Sequence, residues 1–279
     1  MNFFAIGIVI GRNALKETAQ ENTSLGVEIE GSIARITLNR PEVHNAFDGR
    51  LIAELTDCYV RLGTEASIRV IVLAGAGTSF CAGADLGWMR RMADYTEEEN
   101  RADARKLQQM FTEIARCPKV TIARVQGAAI GGGAGLVAVC DIAISVPEAI
   151  FALSEVRLGL VPAVIAPYIL EKIGAGAARA LFVTGERFGA GTALRLGLVQ
   201  HIVPAAELEM AVQQKADLAC QAGPEAVAEA KRLLTAIVGQ TPDETASATV
   251  ACIAALRVSP EGQEGMRAFF EKRKPNWNK

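Results

Sequence analysis

Histidine and aromatic residues are scarce in this chain of 279 residues. It has two histidines, His44 and His201, and aromatic residues make up 5% of the sequence. The six cysteines are scattered along the chain, and no two of them form a C-x-x-C pair. Zinc sites of the Cys/His type need such residues at close spacing, so we expect no metal site. Scattered cysteines in an apolar chain are typical of small buried side chains in a reducing compartment.

The chain also lacks an excess of basic charge. It has 29 Lys and Arg residues against 31 Asp and Glu residues, a formal net charge of -2. Proteins that bind nucleic acids usually carry a basic surplus, so we expect no nucleic-acid partner. Half of the residues are apolar, which is enough for a large core and excludes an intrinsically disordered chain.

No apolar run is long enough to cross a membrane. The run Phe3–Ile10 near the start has eight residues, whereas a membrane-spanning helix needs about 20. This run also lacks the preceding basic region of a secretory signal. We therefore expect a cytoplasmic protein without a membrane partner, and we interpret residues 1–24 as an N-terminal extension.

Strand and helix patterns alternate over most of the chain. Val27–Leu38 predicts two short strands that meet at Gly31, and a helix with apolar residues at 3.6-residue spacing follows and ends at Gly63. After Val203 the pattern predicts helices only. Alternating strands and helices indicate an α/β fold, so we predict an α/β core over residues 25–203 and a helical region over residues 204–279.

Glycine-rich segments raise the possibility of nucleotide binding. The segment Gly131–Gly135 fails the G-x-G-x-x-G pattern, because Leu136 lies three residues after Gly133. The chain contains no Gly-Lys-Ser/Thr sequence either. Neither a Rossmann nor a P-loop site is therefore favoured.

A different use of glycine fits two loops. Residues 81–85 and 130–133 each follow a predicted strand and lead into a predicted helix. Free N–H groups at helix starts bind negative charge, and two donors from two loops could form an oxyanion hole. The alternative is that both are tight turns from strand to helix, and spacing alone leaves both interpretations open.

Five segments in the same order resemble the signatures of the enoyl-CoA hydratase/isomerase (crotonase) superfamily. They are Asn39–Ala46, Ser79–Leu86, Gln126–Gly133, Phe151–Leu160 and Glu264–Trp277. The resemblance covers about residues 27–277. It implies an α/β fold with a crotonase-like ββα spiral core and a C-terminal helical trimerisation region, assembled as a homotrimer or a dimer of trimers.

The same resemblance implies an acyl-CoA thioester as substrate. No separate cofactor is expected, since coenzyme A is part of the substrate. The backbone N–H groups of Ala84 and Gly132 would hold the thioester oxygen. The expected substrate and CoA contacts are His44, Ala46, Ala82, Gly83, Ala84, Asp85, Leu86, Gly131, Gly132, Phe269 and Lys272. Phe269 and Lys272 could reach a ligand on a neighbouring subunit, although Lys272 could equally belong to a solvated cationic run.

The acid–base residues depart from the two-glutamate pattern of the best-known hydratases in this family. One glutamate position is Gly135 here, which has no side chain, and the other is kept as Glu155. With Glu155 as the family's catalytic carboxylate, the chain could hydrate a 2-enoyl-CoA thioester or shift a double bond as an isomerase. A third alternative is a non-catalytic acyl-CoA-binding or RNA-binding protein.

A finer resemblance concerns the substrate. Ser154–Ala163, Trp88–Met92 and Gly135 are similar to bacterial enzymes assigned as methylglutaconyl-CoA hydratases of leucine breakdown. That substrate carries an extra carboxylate, which Arg90, Arg91 or Arg157 could bind. Arg157 could instead pair with Glu155 and lower its pKa, or face solvent. We interpret Cys81 as a packing residue, since no histidine lies near it in sequence.

Overall fold

The computed structural model describes residues 8–10 and 23–278, which form two sheets and the helices around them. The strands are β1 (Ile8–Ile10), β2 (Leu25–Glu30), β3 (Ile33–Leu38), β4 (Val70–Gly75), β5 (Val120–Val125), β6 (Ala128–Ile130), β7 (Ile142–Ser145), β8 (Ile150–Ala152), β9 (Arg187–Gly189) and β10 (His201–Ile202). The larger sheet has the order β1-β2-β3-β4-β5-β7-β10, and the smaller one β6-β8-β9.

Most strand pairs are parallel, and this places the loops that follow them side by side. In the larger sheet the β2–β3 pair is antiparallel, while β3, β4, β5 and β7 pair in parallel. In the smaller sheet β6 and β8 are parallel. Because the carboxyl ends of parallel strands meet at the same edge of a sheet, the loops after β4 and β5 leave from neighbouring positions.

Ten helices surround the sheets within the described residues. They are α1 (Gly49–Thr64), α2 (Leu86–Met92), α3 (Glu97–Arg116), α4 (Gly132–Val139), α5 (Ala166–Thr184), α6 (Ala190–Leu196), α7 (Leu208–Cys220), α8 (Pro224–Ile237), α9 (Pro242–Val258) and α10 (Pro260–Phe270). Short 3₁₀ turns occupy Pro41–Val43, Glu155–Leu158, Ala205–Glu207 and Asn276–Asn278.

Helices α1 and α3 begin at capping side chains. The Asp48 side chain accepts a hydrogen bond from the Leu51 N–H and caps α1, whose apolar stripe is buried. Thr96 and Glu99 form a capping box at the start of α3. These caps fix the ends of the helices that pack on the sheet core.

The C-terminal helices differ in how much they bury. Helix α7 packs on the larger sheet and buries Leu208, Val212 and Ala216. Helices α8 and α9 contain no buried residue, and Leu234, Val250 and Ile253 on them are exposed. These two helices therefore present apolar side chains that the single chain does not cover.

The α/β class, the ββα spiral core and the C-terminal helices are confirmed. The two strands meeting at Gly31 and the helix after them lie where the sequence predicts them. The predicted extension over residues 1–24 falls largely outside the described residues, although Ile8–Ile10 pairs in parallel with residues 27–29. The boundaries 25–203 and 204–279 stay a prediction. Among the described helices, none has the length and apolar character that crossing a bilayer requires.

Candidate active site

The segment from Cys81 to Asp85 runs alongside Phe47. The Phe47 N–H donates to the Gly83 carbonyl at 2.7 Å, and the Asp85 N–H donates to the Phe47 carbonyl at 2.8 Å. In this parallel bridge Ala84 lies opposite Phe47, so its own N–H points to the other side. The Ala84 N–H therefore points away from Phe47.

The other side of the same segment lies against β6 and the start of α4. The Cys81 N–H donates to the Ala128 carbonyl at 3.0 Å, and the Ile130 N–H donates to the Cys81 carbonyl at 3.0 Å. A Cβ at Gly83 would lie 2.8 Å from Ile130 O and 3.7 Å from Gly132 N. The two glycine-containing loops therefore converge.

The N–H groups of Ala84 and Gly132 are free at this convergence. Among the hydrogen bonds between described residues, none is donated by either group. Both residues are partly exposed, whereas Gly83 and Gly131 beside them are buried. Two main-chain donors on adjoining loops can bind one oxygen that carries developing negative charge.

Glu155 lies beside these donors, in the 3₁₀ turn that follows β8. Its Oε1 would be 2.9 Å from a Cβ at Gly131, the residue before Gly132. Its Oε2 is buried and has no hydrogen-bond partner. Burial raises the pKa of Glu155 above its ordinary value. A carboxyl group in this position can both accept and return a proton.

Arg157 does not pair with this carboxyl group. Arg157 is exposed, and it forms no ion pair with Glu155 in the described part of the chain. The pKa of Glu155 is raised by burial rather than lowered. Of the two alternatives for Arg157, the structure agrees with the one in which it faces solvent.

Position 135 has no room for a second carboxylate. A Cβ at Gly135 would lie 2.3 Å from Ile165 Cγ2 and 3.1 Å from Phe111 Cε1. Phe111 in turn stacks on Tyr168, with ring centroids 5.7 Å apart. Apolar side chains thus fill the space into which a glutamate at this position would extend. Sequence reasoning missed Ile165, since nothing in its local pattern signals a contact 30 residues away.

The loop that contains His44 is tied to the loop after β4. The His44 carbonyl accepts from the Ala82 N–H at 3.0 Å, and His44 Nδ1 lies 3.0 Å from Ser79 Oγ. The buried Asn45 donates through Nδ2 to the carbonyls of Ala76 and Ser79, at 2.8 and 2.9 Å. The structure thereby brings together the predicted contacts His44, Ala46, Ala82, Gly83, Ala84, Asp85, Leu86, Gly131 and Gly132.

Arg40 links both of these loops. Its guanidinium donates to the Ala46 carbonyl at 2.6 Å and to Asp85 Oδ2 at 3.0 Å, and it lies 3.2 Å from Asp48 Oδ2. Asp85 also caps α2 by accepting from the Trp88 N–H. Burial alone would raise the pKa of Asp85, but the hydrogen bonds from Trp88 and Arg40 outweigh it and lower that pKa.

The role of Arg40 follows from these contacts, and sequence reasoning missed it along with Asn45. The available signals were the polar composition of the 39–48 loop and its place in the family resemblance over Asn39–Ala46. Asp85, which we predicted as a substrate contact, has its carboxylate occupied by the helix cap and by Arg40. Leu86 beside it is exposed.

Phe269 and Lys272 lie away from this cluster within one chain. They are near the end of α10, which packs on α8 and α9. The Phe269 side chain is 79% exposed and meets Phe270 edge-on. Their contact with CoA therefore stays a prediction, and it would require a ligand that approaches from outside this chain.

Neither a reactive cysteine nor a group of metal ligands is found among the described residues of this site. Cys81 is buried, and burial raises the pKa of its thiol to about 12, which agrees with a packing role. Over residues 23–278, no three His, Cys, Asp or Glu side chains are grouped as a metal ion would require.

Known proteins share this architecture. The family model described as enoyl-CoA hydratase/isomerase matches residues 28–279. A crystal structure of an enoyl-CoA hydratase from Shewanella pealeana superposes with a TM-score of 0.89 at 41% identity, covering 92% of this chain and 97% of that one. A Thermus thermophilus protein, provisionally named an enoyl-CoA hydratase, is 32% identical over 90% of this chain and 100% of its own length.

A relative with another activity is also similar. It is the mitochondrial Delta(3,5)-Delta(2,4)-dienoyl-CoA isomerase of Dictyostelium discoideum, 30% identical over 87% of this chain and 86% of its own length. The match of the family model spans the ββα core and the C-terminal helices alike. The chain belongs to the enoyl-CoA hydratase/isomerase family.

Proposed function

We propose that this protein adds water to a 2-enoyl-CoA thioester and uses Glu155 as its one acid–base carboxyl group. The observation that carries the proposal is the meeting of two free N–H groups, at Ala84 and Gly132, beside the carboxyl group of Glu155, whose Oε2 is buried and has no hydrogen-bond partner. This combination can stabilise an enolate and move a proton at the carbon next to it.

The reaction follows from these positions. The thioester oxygen accepts hydrogen bonds from the N–H groups of Ala84 and Gly132, which draws electron density away from C3. Glu155 takes a proton from a water molecule as the water oxygen bonds to C3, and an enolate forms. The protonated Glu155 then gives that proton to C2. One water is added, and the carboxylate is regenerated.

The environment of Glu155 suits this double role. A carboxyl group in ordinary solution is a weak base, and burial raises the pKa of Glu155 and thus its basicity. General acid–base help from one such group contributes about 10²–10⁴-fold to the rate. Since Ile165 and Phe111 fill the space at position 135, the second glutamate of other hydratases has no counterpart there.

The same single carboxyl group supports a second candidate, an enoyl-CoA isomerase. In that reaction Glu155 removes a proton from C2 of a 3-enoyl-CoA and returns it to C4. The specific observation in its favour is the filled space at position 135, which leaves that position without an acid–base group. The similarity to a dienoyl-CoA isomerase supports it as well.

The acyl group we propose is a branched dicarboxylic one, as in 3-methylglutaconyl-CoA. Arg90 and Arg91 lie on α2, which begins two residues after Ala84. Both are exposed, as is Arg157, and within the described residues none of the three forms an ion pair. A free guanidinium group near the acyl end would bind a terminal carboxylate.

We further propose a homotrimer or a dimer of trimers that acts in the cytoplasm. Helices α8 and α9 bury no residue within the chain, and their apolar side chains would become buried between subunits. The same packing would bring Phe269 and Lys272 to a neighbour's CoA. The unpaired cysteines of the described residues suit a reducing compartment.

A substrate screen tests the activity. Purified protein is incubated with crotonyl-CoA, 3-methylglutaconyl-CoA and a 3-enoyl-CoA, and the products are identified by mass and retention. Glu155→Gln is run in parallel, with the exposed Glu148→Gln as its matched control. We expect a product heavier by one water, which is lost in Glu155→Gln and kept in Glu148→Gln.

Two other outcomes of this screen would contradict a hydratase. A shifted double bond without a change in mass would make the protein an isomerase. CoA-ester or RNA binding without turnover would make it a binding protein.

A further inference from the structure

The carboxyl group of Glu155 packs on the α-carbon of Gly131. A Cβ at Gly131 would lie 2.9 Å from Oε1, 3.5 Å from Cδ and 3.9 Å from Oε2 of Glu155. Any side chain at position 131 would therefore meet the whole carboxyl group at once. Oε2, on the far side, is buried and has no hydrogen-bond partner that could pull the group elsewhere.

The backbone of Gly131 is held from both sides and cannot retreat. Its N–H donates to the Ala152 carbonyl at 2.8 Å, and its carbonyl accepts from the Gly135 N–H at 3.0 Å. The first bond ties it to the end of β8, three residues before Glu155, and the second belongs to α4. Its φ of 54° and ψ of −120° lie in a region that glycine alone adopts readily.

We propose that Gly131 is a positioning residue, whose missing side chain allows the Glu155 carboxyl group to lie beside the N–H of Gly132. The inference rests on the proposed function of Glu155 and Gly132. The proton carrier, in the 3₁₀ turn after β8, and one oxyanion donor, at the start of α4, then lie next to each other. The contact with the Gly131 backbone limits how these two groups can be placed relative to each other.

The direct test is Gly131→Ala. The new methyl group would push the carboxyl group away from Gly132 and toward solvent. A misplacement of about 1 Å in a catalytic group costs about 10²-fold in rate, so we expect kcat to fall by about 10²-fold while KM changes little. We also expect the acid limb of the kcat/KM profile to move to lower pH, because the displaced carboxyl group is less buried.

Backbone strain must be separated from this contact. Gly31→Ala is the control for a positive φ, since Gly31 has a φ of 57° but a Cβ there would meet nothing within 4 Å. We expect Gly31→Ala to lower thermal stability and to leave kcat and the pH profile unchanged. If both variants lose kcat alike, or if the acid limb of Gly131→Ala does not move, the positioning role is overturned.

A double-mutant cycle adds a second readout. Glu155→Asp shortens the side chain by one methylene and makes room for the methyl group in Gly131→Ala. We expect the two losses in kcat to be less than multiplicative when the substitutions are combined. Multiplicative losses would mean that the two residues act independently, and this would contradict the proposal.

A titration without substrate keeps this inference separate from the proposed function. The Glu155 carboxyl signal is isolated by infrared difference spectroscopy against Glu155→Gln, in the wild-type and Gly131→Ala backgrounds. We expect its midpoint to fall when Ala occupies position 131. An unchanged midpoint would overturn the inference, and wild-type protein inactive on every test thioester would instead overturn the proposed function.

Discussion

The side chain of Ile165 occupies the space next to the α-carbon of Gly135, 2.3 Å from the position that a Cβ would take there. The two residues come from different segments: Gly135 lies in α4, and Ile165 is the residue that precedes α5. Ile165 is buried, and so is Gly135. The missing carboxylate at position 135 is therefore replaced by packing, and restoring it takes more than one substitution.

Gly135→Glu alone is expected to destabilise the fold without adding a catalytic group. Overpacking of this kind costs about 1–3 kcal/mol, and an unpaired buried carboxylate adds to it. Ile165→Ala, which by itself leaves a cavity, should restore part of that loss in the double variant. Urea unfolding of the four proteins in the cycle measures the coupling. Gly176→Glu is the control, since a side chain at that exposed position of α5 meets nothing, and strictly additive losses would contradict the prediction.

Glu155→Gln is expected to be more stable than the wild type at neutral pH. Burial raises the pKa of Glu155 in the folded state, so folding favours its protonated form. The contribution of this group to stability is complete below its unfolded pKa and is lost as pH rises through the folded pKa. The difference in Tm between the two proteins should therefore shrink as pH falls. Scanning calorimetry from neutral to acidic pH tests this, and a constant difference would argue against it.

The acid side of the activity profile should report the same group. If Glu155 acts as the base, kcat/KM falls as pH drops through its raised pKa, since the protonated carboxyl group cannot take a proton from water. The fall should begin at higher pH than expected for a solvated glutamate. A profile that stays flat into the ordinary range of glutamate would exclude Glu155 as the base.

Arg40→Met is expected to raise KM for acyl-CoA more than it lowers kcat. The guanidinium holds Ala46, Asp48 and Asp85, which belong to the two loops of the predicted CoA site. Losing it leaves these acceptors unsatisfied, at a cost of about 1–3 kcal/mol. Steady-state kinetics and thermal unfolding measure both effects. Arg195→Met serves as control, because that exposed side chain contacts its own helix, and equal KM values would refute the role.

The dicarboxylic substrate has its own test at Arg90, Arg91 and Arg157. Each is changed to Met, and KM is measured with 3-methylglutaconyl-CoA and with crotonyl-CoA. A charge-assisted hydrogen bond is worth about 1.5–3 kcal/mol, so we expect at least one variant to lose about tenfold or more in KM for the dicarboxylic thioester only. If KM is unchanged in all three variants, none of these arginines binds the substrate carboxylate.

Assembly is tested on α9. Ile253→Asp places a charge among exposed apolar side chains of α8 and α9, and we expect it to convert a trimer or hexamer into smaller species. Sedimentation velocity measures the change. Val60→Asp, at another partly exposed apolar residue, is the control. A wild type that sediments as a monomer would contradict the proposed oligomer.

Periodic patterns in the sequence predicted much of the fold, but they could not predict contacts between residues far apart in the chain. The apolar stripe of α1 was readable because Leu51, Leu55 and Leu62 repeat at helical spacing. The convergence of Ala84 and Gly132 was suggested by spacing and made specific by the family resemblance. The filling of position 135 by Ile165 and the contact between Gly131 and Glu155 depend on how distant segments pack, and no local pattern encodes them.

Both donors that we propose for the substrate oxygen are main-chain N–H groups, at Ala84 and Gly132. Every amino acid except proline carries such a group, so most substitutions at Ala84 keep the donor, whereas a Cβ at Gly132 would lie 2.3 Å from Phe47 Cε2 and holds that position to glycine. Side chains at other positions, such as 135, 155 and 165, hold or displace the acid–base groups. In the proposed mechanism, a change of side chain can therefore alter the proton transfers while the main-chain donors that stabilise the enolate stay in place.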